Sequence, residues 1–204
     1  MFETTKARDQ VSALAPSQPA EALRIARQIA DPWFAVQALA WVVRFDKGDV
    51  GDAAFAEARD ISKAGRDAYQ KSAVLAWPVR AAIETGRIAQ ARELLQSGIA
   101  LLAKVKPVGS RAEAGGLLLE AAFPGGRPLW EPVLLAIEKH CQPTTDWRTQ
   151  RLYRSLARIV LAEDADAAAR LVAALPRGKT RVRAEKELAE GVAVEARSFF
   201  GTSV

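Results

Sequence analysis

Apolar residues recur every three or four positions along most of the chain, which is the spacing of one face of an α-helix. The first clear stripe contains Ala22, Ile25 and Ile29 and stops at Asp31-Pro32. About ten such segments follow one another, separated by short turns rich in Gly, Pro and Asp. Few segments alternate with the period of two that is typical of a strand. The pattern predicts an all-α chain whose short connections make neighbouring helices antiparallel.

Two helix boundaries have specific local signals. Pro78 is expected to kink the helix predicted over residues 68–84, or to shift its start, because proline removes a backbone donor. The last helix is predicted over residues 180–199. We expect this helix to cap the stack, with its apolar end, Phe199-Phe200, as a candidate for docking on a partner or on another protomer.

A short Ala-Arg phrase recurs inside the apolar segments. From position 26 to position 58 the interval is 32 residues, and from 58 to 91 it is 33. Recurrence at this interval is typical of stacked helix pairs. We interpret the Ala as the packing residue and the Arg as solvated. The copies are Ala26-Arg27, Ala58-Arg59, Ala91-Arg92 and Ala169-Arg170, with a degenerate copy at Ala136-Ile137.

These repeats predict an α-solenoid of antiparallel helical hairpins, containing about ten helices in a single repeat domain over residues 1–204. The interval between 91 and 136 is 45 residues and marks one enlarged repeat. The approximate units are 19–47, 49–86, 87–126, 127–163 and 164–199.

A more specific phrase appears in two of the helix pairs. Residues 73–95 read AVLAWPVRAAIETGRIAQARELL, with Gly86 followed five positions later by Ala91. Residues 151–173 read RLYRSLARIVLAEDADAAARLVA, with Asp164 in place of the glycine. This resembles the tetratricopeptide repeat, which places Gly at the turn and a small Ala five positions on; HEAT-like and other hairpin repeats fit as well. The resemblance implies a concave groove, lined by the first helix of each pair, that binds proteins.

An arginine stripe is the sharpest candidate for function. Arg148, Arg151, Arg154 and Arg158 are spaced 3, 3 and 4 apart, which places them on one helix face. Forked guanidinium groups bind carboxylates and phosphates well. The same stripe is also explained by a solvated face neutralised by acids on adjacent helices. The acids best placed for that role are Glu163, Glu185 and Glu187.

The tetratricopeptide-like register implies which residues line the groove. It places Arg151, Arg154 and Arg158 on the first helix of their pair, and Arg80 at the matching place of an earlier unit. Trp77 stands beside Arg80. We therefore expect these five residues to contact a protein or peptide partner, and an acidic one if the arginines are its main contacts.

Charge allows a second function class. The net charge is +5, and a second basic cluster opens the last helix: Arg177, Lys179, Arg181, Arg183 and Lys186. Together with the stripe at 148–158, this cluster at 177–186 would suit a nucleic-acid-binding helical-repeat protein. The chain has no Asn, which excludes the usual form of the Lys-Asn clamp by which tetratricopeptide proteins hold a terminal carboxylate.

Catalysis is not indicated. Gly178-Lys179-Thr180 ends like a phosphate-binding loop, but Ala173 stands where that motif needs glycine. His140 and Cys141 are the only residues of their types, and adjacent helical side chains point about 100° apart. We expect no enzyme, cofactor or metal, although paired carboxylates in a closed pocket would favour an all-α enzyme.

With no apolar run of about 18 residues and no secretory signal pattern, we expect a cytoplasmic protein without membrane contact. The partner's identity and the oligomeric state are not predicted.

Overall fold

The chain is described by a computed structural model that covers residues 2–143 and 146–201. Within these residues it forms twelve α-helices and one 3-10 turn and contains no strand, so the all-α prediction is confirmed. The helices are α1 (Phe2–Leu14), α2 (Pro19–Ala26), α3 (Pro32–Phe45), α4 (Asp49–Ser62), α5 (Ala68–Ala73), α6 (Ala76–Glu84), α7 (Ile88–Leu102), α8 (Val108–Ala122), α9 (Arg127–His140), α10 (Trp147–Val160), α11 (Ala165–Ala174) and α12 (Lys179–Ala189); the 3-10 turn is Phe123–Gly125.

Six helices form a continuous series, which we call the row. Helices α1, α3, α6, α8, α10 and α12 each contact the next in that order. The helix that follows in sequence packs on each of the first five: α2 on α1, α4 on α3, α7 on α6, α9 on α8 and α11 on α10. The buried apolar residues of both sets belong to one hydrophobic cluster. The row thus presents one set of neighbouring helices on which a single segment can cross several units.

The recurring alanines mark the packing of the second helices in three of the four copies. Ala26, Ala58 and Ala91 are at most 1% exposed, as the repeat predicts. The fourth copy departs from this interpretation, because Ala169 is exposed and the adjacent Ala168 is fully buried. Helix α11 therefore packs in a register shifted by one residue.

Two segments in the first half of the chain differ from the sequence prediction. Helix α1 precedes the first predicted unit, and its polar sequence gives little amphipathic signal; the buried Val11 holds it against the cluster. The segment predicted over residues 68–84 is two helices, α5 and α6. Pro78 is the third residue of α6, where its missing N–H costs no intrahelical bond, so the expected shift of the helix start is confirmed.

The last helix ends ten residues earlier than predicted. Helix α12 ends at Ala189, and Gly191 follows with a positive φ of 66°. The amide of Gly191 donates to the carbonyl of Leu188, and that of Val192 donates to the carbonyl of Glu187. This pair of bonds is a Schellman termination, which favours glycine at the left-handed position. Residues 192–200, which we call the tail, continue without regular secondary structure.

Candidate functional site

The five residues predicted to contact a partner lie on two members of the row. Trp77 and Arg80 belong to α6, whereas Arg151, Arg154 and Arg158 belong to α10. Helix α8 contacts both helices and lies between them. The five side chains have different neighbours, so the predicted surface consists of several separate parts.

Arg80 ties α6 to its neighbours. Its Nε donates to Glu84 Oε1 at 2.8 Å, and its Nη1 donates to the carbonyl oxygen of Glu120 at 3.5 Å. Glu84 also accepts a bond from Arg44 Nε at 2.6 Å. The Arg80 side chain is only 16% exposed, and these two bonds hold it against the neighbouring residues.

Arg154 and Arg158 face α12. The Arg154 guanidinium forms two hydrogen bonds with Glu187, one of them from Nε to Oε2 at 2.7 Å. These bonds hold the pKa of Glu187 below its usual range, with the nearby charge of Arg158 acting in the same direction. Arg158 is half-buried, and its Nε has no hydrogen-bond partner among the described residues. Glu187 is one of the three acids that the sequence suggests as neutralising partners, and it takes that role for this half of the stripe.

Replacing Glu187 with glutamine is expected to lower the free energy of unfolding by about 1 kcal/mol at pH 7, since one charged partner of a mostly buried pair is lost. A carboxylate with a depressed pKa stabilises the folded state above its unfolded pKa, and this contribution is lost as the pH falls through the folded-state value. Urea denaturation across the acidic range should therefore show the two proteins converging. Glu185→Gln, whose carboxylate is half exposed on the same helix, is the control and should change little.

The other half of the stripe borders an open cleft. The cleft has a volume of about 500 Å³, and Arg148 and Arg151 from α10, Glu113 from α8 and Arg197 from the tail contribute to its walls. Neither Arg148 nor Arg151 has a carboxylate within 4.0 Å among the described residues. The Arg148 guanidinium lies 5.5 Å from the ring centroid of Trp147, which is 63% exposed. The cleft thus contains the arginines of the stripe that remain available to a ligand.

The tail crosses four members of the row. The amide of Val194 donates to the carbonyl oxygen of Arg158 on α10 at 3.1 Å. Arg197 pairs with a carboxylate of α8, and the two phenylalanines reach α6 and α3. The order of contacts along the tail follows the order of the helices. A single short segment therefore spans the surface on which the predicted contact residues were placed.

The two phenylalanines occupy aromatic pockets. Phe199 meets Trp77 edge to face, with ring centroids 5.3 Å apart. Phe200 meets Trp41 in the same way at 4.9 Å, and the Arg44 guanidinium lies 5.0 Å from the Phe200 centroid. Edge-to-face pairs and cations over ring faces are the favoured geometries for these groups. Both phenylalanines are at most 9% exposed, so the predicted binding residue Trp77 is covered by the chain's own tail.

Glu120 is the acidic group beneath the tail. It is 9% exposed, and burial raises its pKa, an effect that Arg197 opposes. Arg197 Nε lies 3.1 Å from Glu120 Oε2, yet this buried oxygen receives no hydrogen bond of normal geometry from the described residues. The Arg197 side chain itself is 56% exposed. Glu120 is therefore a buried carboxylate whose cationic partner satisfies it only in part.

Sequence reasoning placed neither the tail nor Glu120 in the site. In the structure, Val192, Val194 and Ala196 are half-buried while the residues between them are exposed, but apolar Ala193 hides this alternation in the sequence. That alternation has the period of an extended segment. Glu120 lies among apolar residues of α8, and the role of a polar residue in such a position can be inferred only when its neighbours in the structure are known.

The second basic cluster is neutralised in part, and the cysteine is buried. Cys141 is fully buried, and burial raises its pKa to about 11, so the thiol stays protonated at neutral pH. Within α12 each of three basic residues pairs with an acid four positions on: Arg181 with Glu185, Arg183 with Glu187 and Lys186 with Glu190.

The described residues include no helix that is both long and apolar enough to cross a membrane. Comparisons of the chain with protein-family models, with curated proteins and with solved structures give no significant match.

Proposed function

We propose that this chain is a tetratricopeptide-like α-solenoid that binds an extended segment of a partner protein across helices α3, α6, α8 and α10, and that it acts by binding rather than by catalysis. The observation that carries the proposal is the tail, because these four helices already hold an extended segment of polypeptide. Helix pairs stacked in a row are suited to such a role, since each pair adds one more contact along the ligand.

The site has the features by which extended peptides are recognised. The carbonyl oxygen of Arg158 accepts a backbone hydrogen bond from Val194, and the pockets around Trp77 and Trp41 receive two consecutive side chains of the tail. Large aromatic anchors in desolvated pockets dominate the energetics of most protein interfaces. A partner segment that makes these contacts must replace the tail, whose attachment to α12 gives it a high effective concentration at the site.

The open cleft extends this surface with a place for acidic groups of the partner. Arg148 and Arg151 flank the tail and lack carboxylate partners among the described residues. A partner that continues beyond the tail's path would place its own Asp or Glu side chains here, where forked guanidinium groups bind them. In this proposal Arg151 is the predicted contact residue that meets an acidic part of the ligand.

Binding of the tail in trans tests the proposal. The probe is a fluorescein-labelled peptide with the sequence of residues 190–201, and the protein is the full chain carrying Phe199→Ala and Phe200→Ala, in which the tail is weakened. Anisotropy should show saturable binding at least tenfold tighter than to the wild-type chain, because the intact tail competes. Adding Trp77→Ala should remove binding, whereas Leu135→Ala, an exposed position on α9, should leave it unchanged. Absence of binding to a variant with normal helical circular dichroism would contradict the proposal.

Nucleic-acid binding is the alternative function. It rests on the stripe at 148–158 and the cluster at 177–186, but acidic neighbours of Arg154 and of α12 weaken the positive field of both. A labelled single-stranded oligonucleotide in the same assay separates the two functions. Micromolar binding with a steep dependence on salt would favour the nucleic-acid function over the peptide-binding one.

A further inference from the structure

We infer that the partner segment carries a basic residue followed, two and three positions later, by two aromatic residues. This inference rests on the proposed function and names the chemistry of its ligand. The order of groups is that of Arg197, Phe199 and Phe200, and the tail acts as an intramolecular copy of the ligand that a partner displaces. Each of the three positions has a separate receptor group on the row.

The basic position is set by Glu120. A carboxylate that is nine-tenths buried is costly unless a cation or several donors compensate it. The only cationic group within 4.0 Å of it among the described residues is Arg197, and Oε2 still lacks a hydrogen bond of normal geometry. A ligand arginine or lysine that sits deeper than Arg197 would complete this interaction. A ligand acid at the same position would meet a like charge without solvent between them.

The aromatic positions are set by two different pockets. Trp77 is itself packed against Trp33, with centroids 5.6 Å apart, so the surface that meets the first ring is held in place. The second pocket combines Trp41 with the guanidinium of Arg44. Arg44 is bonded to Glu84 on α6, which fixes the cation over the ring. An aromatic ring gains both contacts in this second pocket, whereas an aliphatic side chain gains neither quadrupole interaction.

The spacing is imposed by the helices. Arg197 contacts α8, Phe199 contacts α6 and Phe200 contacts α3. Three neighbouring helices therefore contact three of four consecutive positions of the tail. Ser198, between them, is exposed, and its hydroxyl donates to the carbonyl oxygen of Phe200 within the tail itself. The cleft beside Arg197 remains open while the tail is bound, which leaves acidic residues elsewhere in the ligand a separate place to bind.

A double-mutant cycle tests the basic position. In the chain carrying Phe199→Ala and Phe200→Ala, the tail peptide should bind at least tenfold more weakly once Glu120→Gln is added. A peptide with Arg197→Gln should bind the two chains within twofold of each other, because the coupled pair is already broken. If the Arg peptide binds both chains equally, or if a peptide with Arg197→Glu binds as tightly as the original, the inference is overturned while the proposed function stands.

Peptide variants test the aromatic positions and protect the test from a folding failure. Phe200→Ala in the peptide should weaken binding at least tenfold, and Glu195→Gln, at an exposed position of the tail, should change it less than twofold. The same order of affinities is expected with the wild-type chain at higher peptide concentrations, since every peptide competes with the same tail. Equal affinities for all peptides overturn the inference, and failure of every peptide to bind overturns the proposed function itself.

Discussion

Replacing Gly51 with alanine is expected to lower the free energy of unfolding by about 2–3 kcal/mol. A Cβ at this position would lie 2.0 Å from the carbonyl oxygen of Asp46 and 2.8 Å from its carbonyl carbon. Both atoms belong to the backbone, so a side-chain rotation cannot relieve the contact. Forcing extra volume into a packed site typically costs 1–3 kcal/mol, and the displaced Asp46 carries further interactions.

Asp46 connects three helices at this point. Its Oδ1 accepts hydrogen bonds from the amides of Gly48 and Gly51, at 2.9 and 2.8 Å, and these bonds begin α4. Its carbonyl oxygen also accepts a bond from Arg87 Nη2 at 3.3 Å, at the start of α7. Alanine would recover about 1 kcal/mol of helix propensity, which the loss of these bonds more than offsets.

Urea denaturation followed by circular dichroism measures the effect of Gly51→Ala. The matched control is Gly48→Ala, because a Cβ there would meet only Asp46 Oδ1 at an ordinary 3.5 Å. That control is expected to cost less than about 1 kcal/mol, as for other glycines at a helix N-cap. Equal midpoints for the two variants would show that the approach of Asp46 to α4 does not constrain the fold.

The second large effect is local. Phe200→Ala is expected to speed hydrogen exchange at the Val194 amide about 100-fold, which corresponds to a loss of about 2.7 kcal/mol in tail binding. Truncating a buried phenylalanine in a closed core costs about 3–5 kcal/mol. Here the tail can detach while the row stays folded, so the loss appears in the opening of the tail rather than in global unfolding.

Hydrogen exchange followed by mass spectrometry distinguishes opening of the tail from global unfolding. The fragment containing Val194 should exchange rapidly in Phe200→Ala, while fragments from α3 and α8 keep their wild-type protection. Val182→Ala, a 65% exposed position on α12, serves as the control and should leave the tail protected. Unchanged protection of Val194 in Phe200→Ala would mean that Phe200 does not anchor the tail.

Helix periodicity was sufficient to predict most of the row. In α10, apolar Leu156, Ile159 and Val160 face the cluster and the arginines lie opposite, so the pattern alone identifies the helix. The same reasoning misses α1, where Val11 is the one fully buried residue among those whose burial is described and the polar sequence looks like a solvated terminus. Helix α1 is held by contacts with α3, which a local pattern does not contain.

The candidate site was predictable in part for a similar reason. Trp77 was assigned to the binding surface because it stands beside Arg80, whose place the repeat register implies, and the arginine stripe was found from its spacing. Which arginine remains free depends on acids distant in sequence: Arg154 meets Glu187, 33 positions away, whereas Arg151 meets none among the described residues. The pairing of Trp41 with Phe200, 159 positions apart, has no local signature at all.

The tail follows all the described helices in sequence, and this also sets the order in which the surface is completed during synthesis. Phe199 follows Trp77 by 122 residues. At translation rates of about 5–20 residues per second, Phe199 is therefore synthesised roughly 6–24 s after Trp77, whose pocket it fills. During that interval Trp41 and Trp77 are unprotected on a row of helices that is still growing. Under the proposed function, a partner present at the ribosome would meet the row without competition from the tail, and the same partner arriving later would first have to displace it.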